Sequence, residues 1–126
     1  SGLLGVSETS SDMRELLALE ATDERAAEAV ELFCYQTRKW IGSYAAALGG
    51  VDALVFTGGI GENLHIIRSR IGAKLHFLGV VLEEGCNSIN APRISADASR
   101  VDVRVIRTDE ELVIARDTKK IAMDRN

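Results

Sequence analysis

The chain has 126 residues with a formal net charge of −4, 46% hydrophobic and 27% charged residues, the balance of one modest folded domain with a real core. The acidic balance offers no basic footprint for nucleic acid, and no apolar run approaches the roughly 20 residues that cross a bilayer. A chain of this kind is expected in the cytoplasm. The two cysteines, Cys34 and Cys86, stand far apart and form no C-x-x-C pair, which argues against a thiolate metal site and for a reducing compartment.

Residues 1–11 read as a Gly/Ser/Thr loop. They open without methionine or the basic start of a signal peptide, and look like the interior of a longer chain. A short helix begins near Asp12, with Glu15 placed to return a capping bond. Asp12 and Arg14 flank the apolar Met13 at this loop–helix junction. Two readings stay open there. Asp12 caps the helix and Arg14 is solvated, or the pair brackets a flat heterocycle, Arg14 stacking and Asp12 accepting from ribose hydroxyls.

After a polar break at 20–24, a long helix is predicted from about Asp23 to Leu48. Ala26, Val30, Phe33, Thr37, Trp40, Ile41, Tyr44 and Leu48 recur at helical spacing. Acids favour its start, and Gly49-Gly50 stop it. Cys34 falls within it as a small buried apolar residue.

Ala53 to Phe56 carries no charge and reads as a buried strand, running into Thr57-Gly58-Gly59-Ile60-Gly61-Glu62-Asn63. Leu64, Ile67, Ile71 and Leu75 then mark a helix from about Asn63 to Leu78, ending at Gly79. Strand, glycine turn and helix is a geometry in which backbone N–H groups face an anion, usually phosphate. The order is neither G-x-G-x-x-G nor a Walker loop. The alternative is a tight connection whose glycines only permit close packing. Asn63 is either an N-cap or a residue pointing at a ligand. His65 and His76 are isolated and read as structural or surface residues.

Residues 80–100, with Pro92, read as connections holding a short extended piece near 93–95. Val101 to Ile106 alternates and is β-branched, a strand. A last helix is expected after Thr108, with Thr108 and Glu111 as a capping box and Leu112, Ile114, Ala115 and Ile121 as its apolar side. Glu110 then stands just past a strand's carboxyl end, where a carboxylate can hold Mg²⁺ directly or through water. Helices alternating with strands predict an α/β fold of parallel strands. Two or three such strands want cover on both faces and neighbours on both edges, so the chain reads as part of a larger sheet or as a half completed by association.

Several strings, taken together, resemble the acetate kinase family over essentially the whole chain and in order. They are Ser1 to Ser7, Ser11-Asp12-Met13-Arg14, Asp52 to Asn63, Arg68, Leu78-Gly79, Arg93-Ile94-Ser95 and Thr108 to Asp117. The resemblance implies part of a ribonuclease-H-like α/β domain of the actin and sugar-kinase type, residues 1–126 forming the carboxyl-terminal part of the nucleotide-binding domain, with the amino-terminal domain outside the chain. It implies transfer of phosphate between ATP and acetate, giving acetyl phosphate and ADP, with Mg²⁺. It implies that Asp12, Met13 and Arg14 line the adenosine pocket, that Gly59, Ile60, Gly61, Glu62 and Asn63 form a second nucleotide-contacting segment, and that Glu110 is the Mg²⁺-associated carboxylate. A homodimer is expected. Glu8, Arg107 and Asp109 depart from the family pattern, which usually has glycine, proline and asparagine there. The family's acetate-binding and transition-state-stabilising residues find no counterpart in the chain, so no catalytic residue is assigned and the chain alone is expected to be inactive. Two further readings remain: a self-associating binding module, and half of a propionate or butyrate kinase.

Overall fold

The computed structural model describes residues 10–107, 111–116 and 119–124, with side chains over 12–107. Helix α1 (Ser10–Leu19) starts two residues before the expected point, so Asp12 lies in its first turn and is not its cap. Helix α2 (Glu24–Leu48) has the predicted ends. Asp23 caps it by accepting from the Arg25 and Ala26 amides, and Gly49 closes it at φ 78, a left-handed conformation that suits glycine. Its inner stripe, Ala26, Val30, Phe33, Cys34, Thr37, Ile41 and Ala45, is buried. Burial pushes the Cys34 thiol up to about 11, which keeps it protonated and inert.

Strand β1 (Ala53–Phe56) follows, then α3 (Gly58–Asn63) and α4 (His65–Gly72). A 3-10 turn (His76–Leu78), α5 (Glu84–Ser88) and β2 (Asp102–Val105) come next. The predicted 63–78 helix is thus broken twice. Leu64, at φ −114 and ψ 84, separates α3 from α4, and the chain leaves helical geometry again at Leu75, φ −111 and ψ 16. Leu64 and Leu75 are both buried in the core, as are Ile67 and Ile71. The apolar spacing therefore reports one buried face, although the backbone along it is not continuous.

β1 pairs parallel with β2, Leu54 opposite Val103, which is the crossover predicted for the two strands. On its other edge β1 pairs antiparallel with β3 (Glu111–Arg116), which in turn pairs antiparallel with β4 (Lys119–Asp124). The four-stranded order is β2-β1-β3-β4. The helix expected after Thr108 is corrected here to a hairpin. Leu112 to Ala115 is a short continuous apolar run, which periodicity cannot divide between helix and buried strand. The open edge of β1 supplies the pairing that decides it. The parallel pairing expected of the two predicted strands holds, and the antiparallel hairpin makes the sheet as a whole mixed.

The remaining edge of the parallel pair is also covered. The amide of Ile94 donates to the Val103 carbonyl, that of Val105 to Pro92, and that of Val103 to Ser95 Oγ. Residues 92–95 thus form the short extended piece expected there. Leu54, Phe56, Val103 and Val105 are buried, while Ala53 and Val55 are half-buried and Arg104 is exposed. This is the alternation of a sheet with one face on the core, where cover on both faces was expected. The core joins that face to Met13, Val30, Phe33, Ile41, Ile67 and Ile71.

Candidate functional site

The glycine segment is a six-residue helix, not an open turn. Gly58 sits at φ 76, which favours glycine. Its amide donates to Glu62 Oε2 at 3.0 Å, so Glu62, four residues on, folds back over the start of its own helix. Glu62 is buried, and its Oε1 lies 3.8 Å from Arg107 Nη1. Arg107 thereby places a cation against the segment.

The carbonyls of the segment are drawn back into the protein. Gly59 O accepts from Asn63 Nδ2 at 2.9 Å, Ile60 O from the Leu64 amide at 3.2 Å, and Gly61 O from Arg68 Nη1 at 2.9 Å. Asn63 closes α3 from within and does not cap α4, whose cap position is Leu64. Tying carbonyl oxygens inward reduces the negative potential that the segment would present to an anion.

Gly61 has a separate lesson. A Cβ there would meet the Phe56 backbone at 3.4 Å, an ordinary contact, and its φ is not positive. Gly61→Ala is therefore expected to fold and to gain about 0.5 kcal/mol from the lower helical cost of alanine. Urea denaturation checks this; a loss of stability would show that the space is not there.

Helix α1 packs on α2 and reaches α3. Its end is fixed by Glu20, whose two carboxylate oxygens accept from Arg70 of α4 at 2.8 and 2.6 Å. That hydrogen-bonded guanidinium holds the Glu20 carboxyl below its ordinary range. The result is a surface cleft of about 370 Å³ lined by Arg14 and Leu17 of α1 and by Asn63, Leu64, His65 and Ile66. Two segments marked separately in the sequence, 12–14 and 59–63, meet at this cleft through Arg14 and Asn63. Asp12 and Arg14 are exposed, Gly59 and Gly61 half-buried, and Ile60 buried. Met13 is 0% exposed and belongs to the core. Leu17, Leu64, His65 and Ile66 were not marked for function; only their adjacency to marked residues signalled them.

Among the described residues no group of three or more His, Cys, Asp or Glu is placed to hold a metal. Glu110 lies outside the described residues, as do Glu8 and Asp109.

Residues 1–116 match the profile of the acetokinase family. This chain belongs to the acetokinase family. It is 51% identical over 124 residues to the acetate kinase of Phocaeicola vulgatus, covering 96% of this chain and 31% of that protein. It is 52% identical over 124 residues to the propionate kinase of Citrobacter rodentium, covering 98% of this chain and 31% of that protein. The crystal structure of Porphyromonas gingivalis acetate kinase superposes with a TM-score of 0.72 at 42% identity, over 86% of this chain and 28% of the other. The acetokinase chain thus shares its α/β fold with these kinases and spans about a third of the length of the curated relatives it matches.

Proposed function

We propose that the chain forms the nucleotide-binding wall of a kinase that moves phosphate between ATP and a short carboxylate, acetate in the first instance. The observation that carries this is the convergence of Arg14 and Asn63 on one cleft beside the 59–63 segment. In this reading Arg14 stacks its planar guanidinium on the base. Asp12 accepts from the ribose, and Leu17, Leu64 and Ile66 supply apolar contact. Gly59 to Asn63 faces the phosphates with its carbonyls withdrawn. Met13 supports the pocket from beneath as a core residue. The family resemblance assigns Glu110 to Mg²⁺, whose charge would offset that of the polyphosphate. Residues 1–126 would be the carboxyl-terminal part of the nucleotide-binding domain of a cytoplasmic homodimer.

Among the described residues no helix is long and apolar enough to cross a membrane. A relative that is a propionate kinase, matched as strongly as the acetate kinases, keeps propionate as the second reading of the acceptor. Phosphoryl transfer needs charge neutralised from several directions. One wall does not provide that, so the chain alone is expected to show no turnover in a coupled kinase assay.

Titration of ¹⁵N-labelled chain with ADP, with and without Mg²⁺, tests the reading. Shifts are expected at Arg14, Leu17 and 59–66, with millimolar affinity, about 4 kcal/mol of binding free energy. Shifts confined to another surface cleft, such as that between Gln36, Trp40 and Tyr44 of α2, or no shifts at all, would sink it.

A further inference from the structure

Arg68 is 0% exposed, and it is a cation. It occupies the buried side of α4, three residues before Ile71 and four after Leu64. Among the described residues it has no ion-pair partner within 4.0 Å. Neutral acceptors hold it instead. Nε donates to Asn87 Oδ1 at 2.7 Å, Nη2 to the Asn87 carbonyl at 2.7 Å and to Asn90 Oδ1 at 2.5 Å, and Nη1 to the Gly61 carbonyl at 2.9 Å. Asn87, itself 0% exposed, donates onward to the His65 carbonyl, Ser69 Oγ and Glu84 Oε1. Asn90 takes a positive φ of 54, a conformation asparagine tolerates better than most residues, and so presents its side chain to Arg68.

The fork therefore joins three pieces of chain: α4, the 87–90 turn and the glycine segment. Buried charges are rarely kept without a paired carboxylate. Packing alone would be served by an aliphatic residue at this position. What the guanidinium adds is directional: it pulls the Gly61 carbonyl toward the interior and fixes the peptide plane between Gly61 and Glu62.

We propose that Arg68 is a positioning residue for the nucleotide segment, orienting the 59–63 backbone toward a polyphosphate without touching it. This inference rests on the nucleotide reading above and adds to it the group that sets the segment's geometry. Burial lowers the Arg68 pKa to about 10, against which Glu84 acts, so the guanidinium stays charged at neutral pH.

The test compares Arg68→Lys and Asn90→Gly with the parent chain and with Ile71→Val, a core change on the same helix that removes no hydrogen bond. Lysine keeps the charge and loses the fork. Glycine keeps the positive φ at 90 and removes only one acceptor, so that variant folds even where the lysine variant does not. Hydrogen exchange at amides 61–64 and ADP affinity by NMR are both read on the folded fraction. Both fork variants are expected to exchange about tenfold faster at 61–64 and to bind ADP about tenfold more weakly, while Ile71→Val matches the parent in both. Exchange unchanged in both fork variants overturns the inference, as does an equal increase in Ile71→Val. A parent chain that binds no ADP overturns the nucleotide reading, and the exchange rates then decide on their own whether Arg68 orients the segment.

Discussion

Replacing Arg68 by methionine is expected to cost the chain about 4 kcal/mol of folding free energy, a large fraction of the 5–15 kcal/mol typical of a domain. The guanidinium has four hydrogen bonds, two of them to Asn87. Asn87 is fully buried, so its Oδ1 and carbonyl cannot turn to water once the donor is gone. Each such orphan costs about 1–3 kcal/mol, and the two together bracket the expected figure. The Gly61 carbonyl and Asn90 Oδ1 lie in half-buried residues, where water can replace the lost donor. Methionine recovers some apolar burial, which offsets a fraction of the loss. The shift in urea midpoint against the parent gives the value. A loss of less than about 1 kcal/mol would mean that the site collapses around methionine and that the fork contributes little net stability.

That residue also marks the limit of what could be read in the sequence. Arg68 stands among Leu64, Ile67 and Ile71 at helical spacing, and a charge on an apolar face is a signal in itself. Its partners are Asn87 and Asn90, some twenty residues downstream in a stretch without periodicity. No local rule connects an arginine to two asparagines across a turn. Helix α2 was legible from end to end because its signals are local: an aspartate at the cap, apolar residues at i, i+3 and i+4, and a glycine in the left-handed stop. β1 and β2 were legible for the same reason.

The failures have two causes, a tertiary pairing that overrode a local preference in one case and side-chain bonds inside the segment in the other. The Thr108–Glu111 capping box and the apolar run after it describe a plausible helix start. The edge of β1 recruits 111–116 as a strand instead. Glycines at 58, 59 and 61 look like a loop, yet the segment is helical, with Glu62 and Asn63 satisfying its own backbone through their side chains. The site was legible in pieces. Residue pattern first marked Asp12, Arg14 and the glycine segment, resemblance then gave 12–14 and 59–63 their roles, and only the packing of α1 on α3 could bring Arg14 and Asn63 to one cleft.

Met13 separates packing from ligand contact at that cleft. It lies between Asp12 and Arg14 in sequence, but its side chain points into the core beside residues such as Val30 and Phe33, with no exposed surface. Met13→Ala is expected to cost about 3 kcal/mol, the lost transfer free energy plus the cavity left behind. It should also loosen α1 from α2 and so lower ADP affinity through disorder of Arg14. Met13→Leu conserves volume and is expected to cost less than about 1.5 kcal/mol. The leucine variant carries the argument. If Met13 only supports the pocket, its ADP affinity equals that of the parent, and stability and affinity fall together in the alanine variant alone. If Met13 touches the base, the leucine variant loses affinity while its urea midpoint holds. NMR titration with ADP beside urea denaturation of the same three proteins distinguishes the two, and the second pattern would move Met13 from the core to the ligand surface.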